Sequence, residues 1–297
     1  MRVADAKLAE IWDRGFTVVE GFLAADTLRA AQDALWEIYP RPEDYFAAPE
    51  KYPQFAKSQF AGIRLFPWAS WALNRLAVEP DLVDAAERFL GSAEVELYKG
   101  ELWAKYSGAI NYDQSHHRDY RNHTLVVPRA DGRDVQMTTF ILLSDVTELD
   151  GPTKIVPVSE TRDIPLGKAQ RGPGKMVEKE ISVTAPAGSL MIYKTDVFHR
   201  GSNFTAPKRS RFAVLVDFMR RGPRWQGKMS WPDHAEKPAF AEALTKMTPR
   251  QRDLFGWPPI GSDYWNAQTL RDVQMRYPDL DLAPYRETTP LPLKGER

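Results

Sequence analysis

Six short segments with the character of β-strands lie between residues 94 and 220, and they constrain the fold more than any other feature of the sequence. Some of them alternate polar and apolar residues, and others are almost entirely apolar, as buried strands are. Turn-forming residues separate them, for example Asp150-Gly151-Pro152 and Pro186-Ala187-Gly188. Many short strands with such turns are typical of an antiparallel barrel or a jelly roll. The predicted strands are 95–106, 136–143, 154–158, 181–183, 189–193 and 211–218.

Helical patterns flank these strands on both sides. Before them we predict a strand at 15–22, a helix from the N-cap residue Asp26 to about residue 39, and an irregular but packed segment at 40–67. The other predicted helices are 4–14, 69–78, 80–90, 234–247, 249–255 and 263–276. We therefore expect one domain over 1–297, with N-terminal helices and a strand (1–93), a β core (94–220) and a C-terminal helical extension (221–297).

The composition excludes several classes of protein. Lys and Arg together number 40, as do Asp and Glu, so the formal net charge is zero and nothing favours nucleic acid or an anionic membrane as a partner. The chain contains no cysteine, which excludes disulfides, thiolate zinc sites and a cysteine nucleophile. No apolar run is long enough to span a membrane, and Met1–Lys7 lacks the apolar core of a secretion signal. We expect a cytoplasmic monomer or homodimer that acts on a small molecule.

Three residues form a candidate metal site. If 114–120 is a strand, His117 and Asp119 project from the same face, because side chains alternate along a strand. His199 lies between two predicted strands and offers a third ligand. Two histidines and one carboxylate are the facial ligand set of non-haem Fe(II) oxygenases. On spacing alone, a loop histidine at 199 and an Asp119 that caps a turn are equally compatible with the sequence.

The remaining histidines and two arginines receive lesser roles. His116 should point away from His117 and pack behind it, His123 fits a solvent-facing loop better than the site, and His234 has no predicted role. Arg209 and Arg211 share one face at the start of the last long strand. A buried arginine there could hold a carboxylate through two hydrogen bonds, whereas the alternative is that both are exposed at a strand end.

Several segments together resemble those of one known family, in the same order and at the same spacing. They are His116–Tyr120, Thr138–Thr147, Asp150–Ser159, Ala187–Tyr193, the segment around His199, and Arg209–Phe218. On these segments the sequence is similar to the phytanoyl-CoA dioxygenase family of Fe(II)- and 2-oxoglutarate-dependent oxygenases over about residues 95–220, and more weakly before that. The last 75 residues carry no recognised motif.

The resemblance implies a double-stranded β-helix (jelly-roll, cupin-like) core and one Fe(II) held by His117, Asp119 and His199. 2-Oxoglutarate would chelate this iron, and O₂ would take the remaining position. The other carboxylate of 2-oxoglutarate would pair with an arginine: the register from Phe218 favours Arg211, whereas counting from Asn203 favours Arg209. Further contacts with the co-substrate are implied for four residues: Ser202, Phe140, Trp103 and Lys105.

The predicted function is therefore a dioxygenase that hydroxylates or otherwise oxidises an unactivated carbon of a small organic substrate, with release of succinate and CO₂. Two alternatives remain from the residues alone. One is a metal-binding jelly roll with hydrolase or isomerase chemistry, and the other is a non-catalytic binding protein. The arginine-containing loop 118–134 could cover the mouth of the site, although a solvated loop fits the sequence better. The aromatic residues of the C-terminal helices fit core packing better than a lid or a dimer surface.

Overall fold

The computed structural model describes residues 2–109, 112–132, 135–170, 176–220, 231–253 and 256–286. Within these ranges the β core consists of two antiparallel sheets, one of six strands and one of three. The strands are β1 (Phe16–Val19), β2 (Ile63–Leu65), β3 (Val95–Tyr106), β4 (Met137–Leu142), β5 (Thr153–Val156), β6 (Ile181–Val183), β7 (Leu190–Lys194), β8 (Phe198–Gly201) and β9 (Ser210–Arg220).

The six-stranded sheet has the order β1-β7-β4-β9-β3-β2, and the three-stranded sheet has the order β6-β5-β8. Strands β3 and β9 form the longest pair, with one irregularity between Leu97 and Lys99. Buried side chains of the two sheets pack against each other: Ile155 and Val183 from one sheet share a cluster with Met191 from the other. This architecture confirms the predicted mainly β, jelly-roll fold.

Five helices precede or interrupt the early strands and share a large core with the six-stranded sheet. Helix α5 matches its prediction closely, because Pro80 occupies the first turn and Gly91 ends the helix in the left-handed conformation (φ 63°). Such a backbone conformation favours glycine, which has no Cβ. The helices are α1 (Asp5–Arg14), α2 (Ala25–Leu35), α3 (Pro42–Ala47), α4 (Trp71–Ala77) and α5 (Pro80–Leu90).

Four local features of the structure differ from the sequence prediction. Helix α2 has Ala24 rather than Asp26 as its N-cap, and no side chain caps it. The predicted strand at 114–120 is reduced to isolated bridges at His117, and Asp119 is helical (φ −65°, ψ −31°) because it precedes the short helix α6 (Tyr120–His123). Strand β8, which carries His199, was not predicted, and 40–67 contains α3 and β2 in addition to irregular backbone.

The C-terminal extension forms a second core of its own, which also includes Tyr120, Leu125 and Val127. Trp257 and Trp265 are buried in it, in agreement with the expected core packing of the C-terminal aromatic residues. Within the described part of the chain, no helix has the length and apolar character needed to cross a membrane. The last four helices are α7 (Pro238–Lys246), α8 (Pro249–Asp253), α9 (Ala267–Arg276) and α10 (Ala283–Arg286).

Candidate metal centre

The jelly roll brings His117, Asp119 and His199 together. The backbones of His117 and His199 exchange two hydrogen bonds (N···O 2.9 and 3.0 Å), and the Asp119 amide donates to the carbonyl of Thr195 (3.1 Å). One ligand atom from each of the three side chains lies within 4.8 Å of the others. They form a group of metal-capable side chains within the described ranges, although 80 positions separate Asp119 from His199 in the sequence.

Hydrogen bonds orient all three side chains. The Nδ1 atoms of His117 and His199 lie 2.9 and 3.2 Å from the carbonyl oxygens of Ser115 and Val197. A proton on each Nδ1 leaves Nε2 unprotonated and free to bind a cation. These Nε2 atoms lie 3.6 and 3.3 Å from Oδ1 of Asp119. The hydroxyl of Tyr193 donates to the other carboxylate oxygen, Oδ2, at 2.9 Å, so that Oδ1 is the oxygen turned towards the histidines.

The electrostatics of the group suit a cation. Burial lowers the pKa of His117 to about 4, with the neighbouring His199 adding to the effect, so this imidazole is neutral at pH 7. Burial alone would raise the pKa of Asp119, but His199 holds it well below the usual range. Burial would likewise lower the pKa of His199, but the Asp119 carboxylate raises it. A bound metal ion would take the place of the proton on His199.

These residues open into a cavity of about 670 Å³. One face of β3 forms its floor, because alternate residues of a strand point the same way. Lys99, Glu101, Trp103 and Lys105 all line the cavity, and Phe140 of β4 stands beside them. The floor therefore begins with the Lys99 ammonium at one end and finishes with the Lys105 ammonium at the other. The Glu101 carboxylate and the Trp103 indole lie between them.

Two cations meet at the Lys105 end of the floor, the buried Lys105 and the partly buried Arg211. Lys105 is directly opposite Arg211 in the β3–β9 pairing, and both line the cavity. Burial and the adjacent positive charge lower the pKa of Lys105 to about 7, and burial lowers that of Arg211 to about 10. Arg211 donates to the carbonyl of Gly151. Among the described residues neither cation forms an ion pair with a carboxylate, so an anionic ligand would be stabilised here.

The other two predicted co-substrate contacts lie elsewhere. Arg209 pairs with Asp150 through two hydrogen bonds of 2.7 and 2.8 Å, and 38% of its side chain is exposed. Ser202 is buried, donates to the carbonyl of Pro152 at 2.6 Å, and is absent from the cavity wall. The geometry therefore favours Arg211 over Arg209 as the contact for the co-substrate carboxylate. The Ser202 hydroxyl bonds the backbone and is not part of the cavity wall.

Sequence reasoning missed an ion pair between a partly buried lysine and a buried carboxylate at the opposite end of the floor. The ammonium of Lys99 lies 3.3 Å from Asp217 and 3.8 Å from Glu101. Burial raises the pKa of the completely buried Asp217 to about 7, although Lys99 opposes the shift. Burial would lower the pKa of Lys99, but Asp217 and Glu101 raise it, so this lysine stays charged. The alternation of side chains along 95–106 could have predicted that Lys99 lies on the same face of the strand as Trp103 and Lys105.

The three remaining histidines are now placed. His116 is buried and bonds Glu180 (3.0 Å), as expected for a residue packed behind the site. His123 lines the cavity, which corrects its assignment to a solvent-facing loop. His234 contacts Lys237. In the loop 118–134, Arg121 lines the cavity, whereas Arg118 is buried and donates to the carbonyls of Ile164, Pro165 and Lys168.

Comparison with known proteins identifies the family. The phytanoyl-CoA dioxygenase family model matches residues 12–213 of the 297. The epimerase SnoN, solved in complex with Fe³⁺, alpha-ketoglutarate and nogalamycin RO, is 19% identical, with 77% of this chain and 88% of SnoN covered (TM-score 0.54). EctD from S. alaskensis, solved with 2-oxoglutarate and 5-hydroxyectoine, is 16% identical, with 78% and 83% covered (TM-score 0.55). No curated protein is significantly similar in sequence. These structures share the fold, and the match over 12–213 shows that the chain belongs to the phytanoyl-CoA dioxygenase family.

Proposed function

We propose that the protein is an Fe(II)- and 2-oxoglutarate-dependent dioxygenase that oxidises an unactivated carbon of a small organic substrate and releases succinate and CO₂. The observation that carries the proposal is the pairing of two features in one cavity. His117, Asp119 and His199 offer a facial metal site, and Lys105 and Arg211 offer a site for a carboxylate. The first would hold a metal ion, and the second matches the dianionic co-substrate of this family.

The donor set fits Fe(II). Two neutral imidazole nitrogens and one carboxylate oxygen occupy one side of an ion, and the cavity leaves the other side open to ligands. Each ligand is also held from behind, by a backbone carbonyl for both histidines and by Tyr193 for Asp119. Such outer contacts fix the orientation of a ligand and are a regular feature of metal sites.

The chain's own residues would position the reactants around the metal. Arg211 and Lys105 would bind the distal carboxylate of 2-oxoglutarate, and Trp103 and Phe140, whose ring centroids lie 6.3 Å apart, would cover its methylene carbons. Bound iron supplies the oxidative decarboxylation of 2-oxoglutarate and the activation of O₂. The protein supplies orientation and excludes water, and no side chain is needed as a general base.

The remaining wall of the cavity would receive the primary substrate. It contains both polar and aromatic side chains, among them Tyr98, Tyr112, Gln114, Arg121 and Gln170. A mixed wall of this kind fits a small molecule with several hydrogen-bonding groups better than a purely hydrocarbon chain.

Anaerobic titration tests the proposal. Apo-protein is titrated with Fe(II) and then with 2-oxoglutarate, and we expect a weak visible charge-transfer band followed by succinate formation when O₂ is admitted. Asp119→Ala should abolish both signals, whereas Asp279→Ala, at an exposed position of the C-terminal extension, should leave them unchanged. Absence of metal binding and of 2-oxoglutarate turnover in the unaltered protein would exclude this function in favour of a non-catalytic or different metal-binding role.

A further inference from the structure

The β core anchors the metal ligands, but to the residues that follow them it contributes the hydrogen bond from Tyr98 of β3 to the carbonyl of His123 (3.0 Å). The backbones of His117 and Asp119 are hydrogen-bonded to His199 and Thr195 of the β core. After Asp119 the chain leaves the sheets, and Tyr120 packs in the core of the C-terminal extension. The segment 120–127 therefore connects the candidate metal site to the C-terminal extension. This extension comes after residue 213, where the match to the family model ends.

Side chains of the C-terminal extension hold the backbone of this segment. The guanidinium of Arg276 donates to two carbonyls, one of them at 3.1 Å, and the hydroxyls of Tyr277 and Tyr264 donate to one carbonyl each, at 2.7 and 2.6 Å. These hydrogen bonds reach the carbonyl oxygens of four residues: Val126, Arg121, Leu125 and Val127. Of these three donors, Arg276 is the one that bonds a carbonyl within α6, that of Arg121.

The segment held in this way presents two side chains to the cavity, Arg121 and His123. Arg121 has a further contact with the extension, because its Nε lies 3.1 Å from a carboxylate oxygen of Glu236. Its Nη1 donates to Gln170 at 2.7 Å on the cavity side. The guanidinium is thus fixed between the extension and the cavity wall, and 29% of its side chain remains exposed.

We propose that the C-terminal extension is part of the substrate-binding apparatus: Arg276 and Glu236 are positioning residues that place Arg121 and His123 in the cavity wall that receives the primary substrate. The assignment of this wall to a substrate rests on the proposed dioxygenase function. The β core orients the metal ligands and holds the carbonyl of His123 through Tyr98. The extension holds four further carbonyls of the segment and therefore orients most of the adjoining wall. Variation of the extension would then change which substrate is accepted without altering the metal site.

Hydrogen exchange of the full-length apo-protein tests the role of Arg276. Arg276→Met retains the apolar stem but removes both hydrogen bonds, and we expect at least about tenfold faster amide exchange in 121–127, with 114–119 and 198–201 unchanged. Arg276→Lys, which can still donate to one carbonyl, should recover part of the protection. Arg271→Met is the matched control on the same helix, since 55% of that side chain is exposed and it bonds its neighbour Asp272.

Arginine modification tests the role of Glu236. With phenylglyoxal as the probe, Glu236→Gln should make Arg121 react at least about fivefold faster, whereas Glu242→Gln, an exposed residue paired with Lys246, should have no effect. Fe(II) and 2-oxoglutarate affinities measured by anaerobic titration should stay within about twofold of the unaltered protein in both Arg276→Met and Glu236→Gln, since the jelly roll holds those ligands.

The outcomes separate this inference from the proposed function. Three results would each overturn the inference: unchanged amide exchange in 121–127, accelerated exchange that extends equally into 114–119, or unchanged reactivity of Arg121. A loss of Fe(II) affinity in Arg276→Met as large as the change in exchange would also overturn it, because the extension would then support the metal site itself. Failure of the unaltered protein to bind Fe(II) would instead refute the dioxygenase proposal, while the exchange and modification results would still report on the wall.

Discussion

We expect Lys105 to make binding of 2-oxoglutarate dependent on pH in a range where most lysines do not titrate. The pKa of this lysine is lowered to about 7 by burial and by Arg211, and the pKa of Arg211 is about 10. The paired arginine therefore stays charged while Lys105 loses its proton. If 2-oxoglutarate binds the protonated form, binding is strongest below pH 7 and weakens as the pH rises above it.

The size of the effect follows from the pKa. About nine tenths of Lys105 side chains carry a proton at pH 6 but only about one in a hundred at pH 9, so the apparent dissociation constant should rise by roughly two orders of magnitude, or about 2.7 kcal/mol. The folding stability of the apo-protein should change with pH in the opposite direction to the binding of 2-oxoglutarate. The unfolded chain binds the proton more tightly between about pH 7 and 10.5, so deprotonation of Lys105 favours the folded state as the pH rises.

Anaerobic calorimetry of the Fe(II)-loaded protein between pH 6 and 9 measures this dependence. Lys105→Met should bind 2-oxoglutarate weakly and with no such pH dependence, whereas Lys105→Arg should remove the pH dependence and keep the affinity at pH 9. Lys99→Arg is the matched control on the same face of β3 and should retain the slope, because the charged Lys99 does not titrate in this range. A flat profile in the unaltered protein, or an unchanged slope in Lys105→Met, would refute the argument.

Three further predictions concern single side chains. Tyr193→Phe removes the hydrogen bond to Asp119 and should weaken Fe(II) binding about 10- to 100-fold in a competition titration, and an unchanged affinity would exclude an orienting role. Arg211→Met should cost about 2–5 kcal/mol of 2-oxoglutarate binding, whereas Arg209→Met should lower only the melting temperature; the reverse result would reassign the co-substrate contact. The raised pKa of Asp217, about 7 against an ordinary 3.8, contributes stability that is fully present below about pH 4 and is lost as the pH rises to about 7. Asp217→Asn should therefore flatten the unfolding free energy over that range in denaturant titrations, and an unchanged slope would contradict the shift.

The sequence predicted the strands that form the floor of the cavity because their patterns are local. Alternation along 95–106 and the apolar run at 136–143 correspond to β3 and β4, and these strands position Trp103 and Lys105. The pair of Lys105 and Arg211 depends on the register between β3 and β9, which no local pattern specifies. For the same reason the sequence left Arg209 and Arg211 as alternatives.

Other features of the site could not be read from local patterns. Asp119 was expected on a strand, but its helical backbone follows from the packing of Tyr120 against residues more than 100 positions later. Tyr193 belongs to a predicted strand, but its contact with Asp119 joins segments 74 positions apart. Strand β8 is only four residues long and contains His199, Arg200 and Gly201, which lack the apolar character of a typical buried strand.

The position of β1 has a practical consequence for anyone who wishes to shorten this protein. Four residues near the N-terminus complete the outer border of the six-stranded sheet by pairing with β7 along Leu190–Tyr193. A truncated version starting at residue 94 would retain every candidate ligand, yet it would expose the amide and carbonyl groups on that side of β7. Unpaired borders of this kind recruit other chains. Such a truncation should therefore self-associate or precipitate, and expression designs should begin ahead of Phe16.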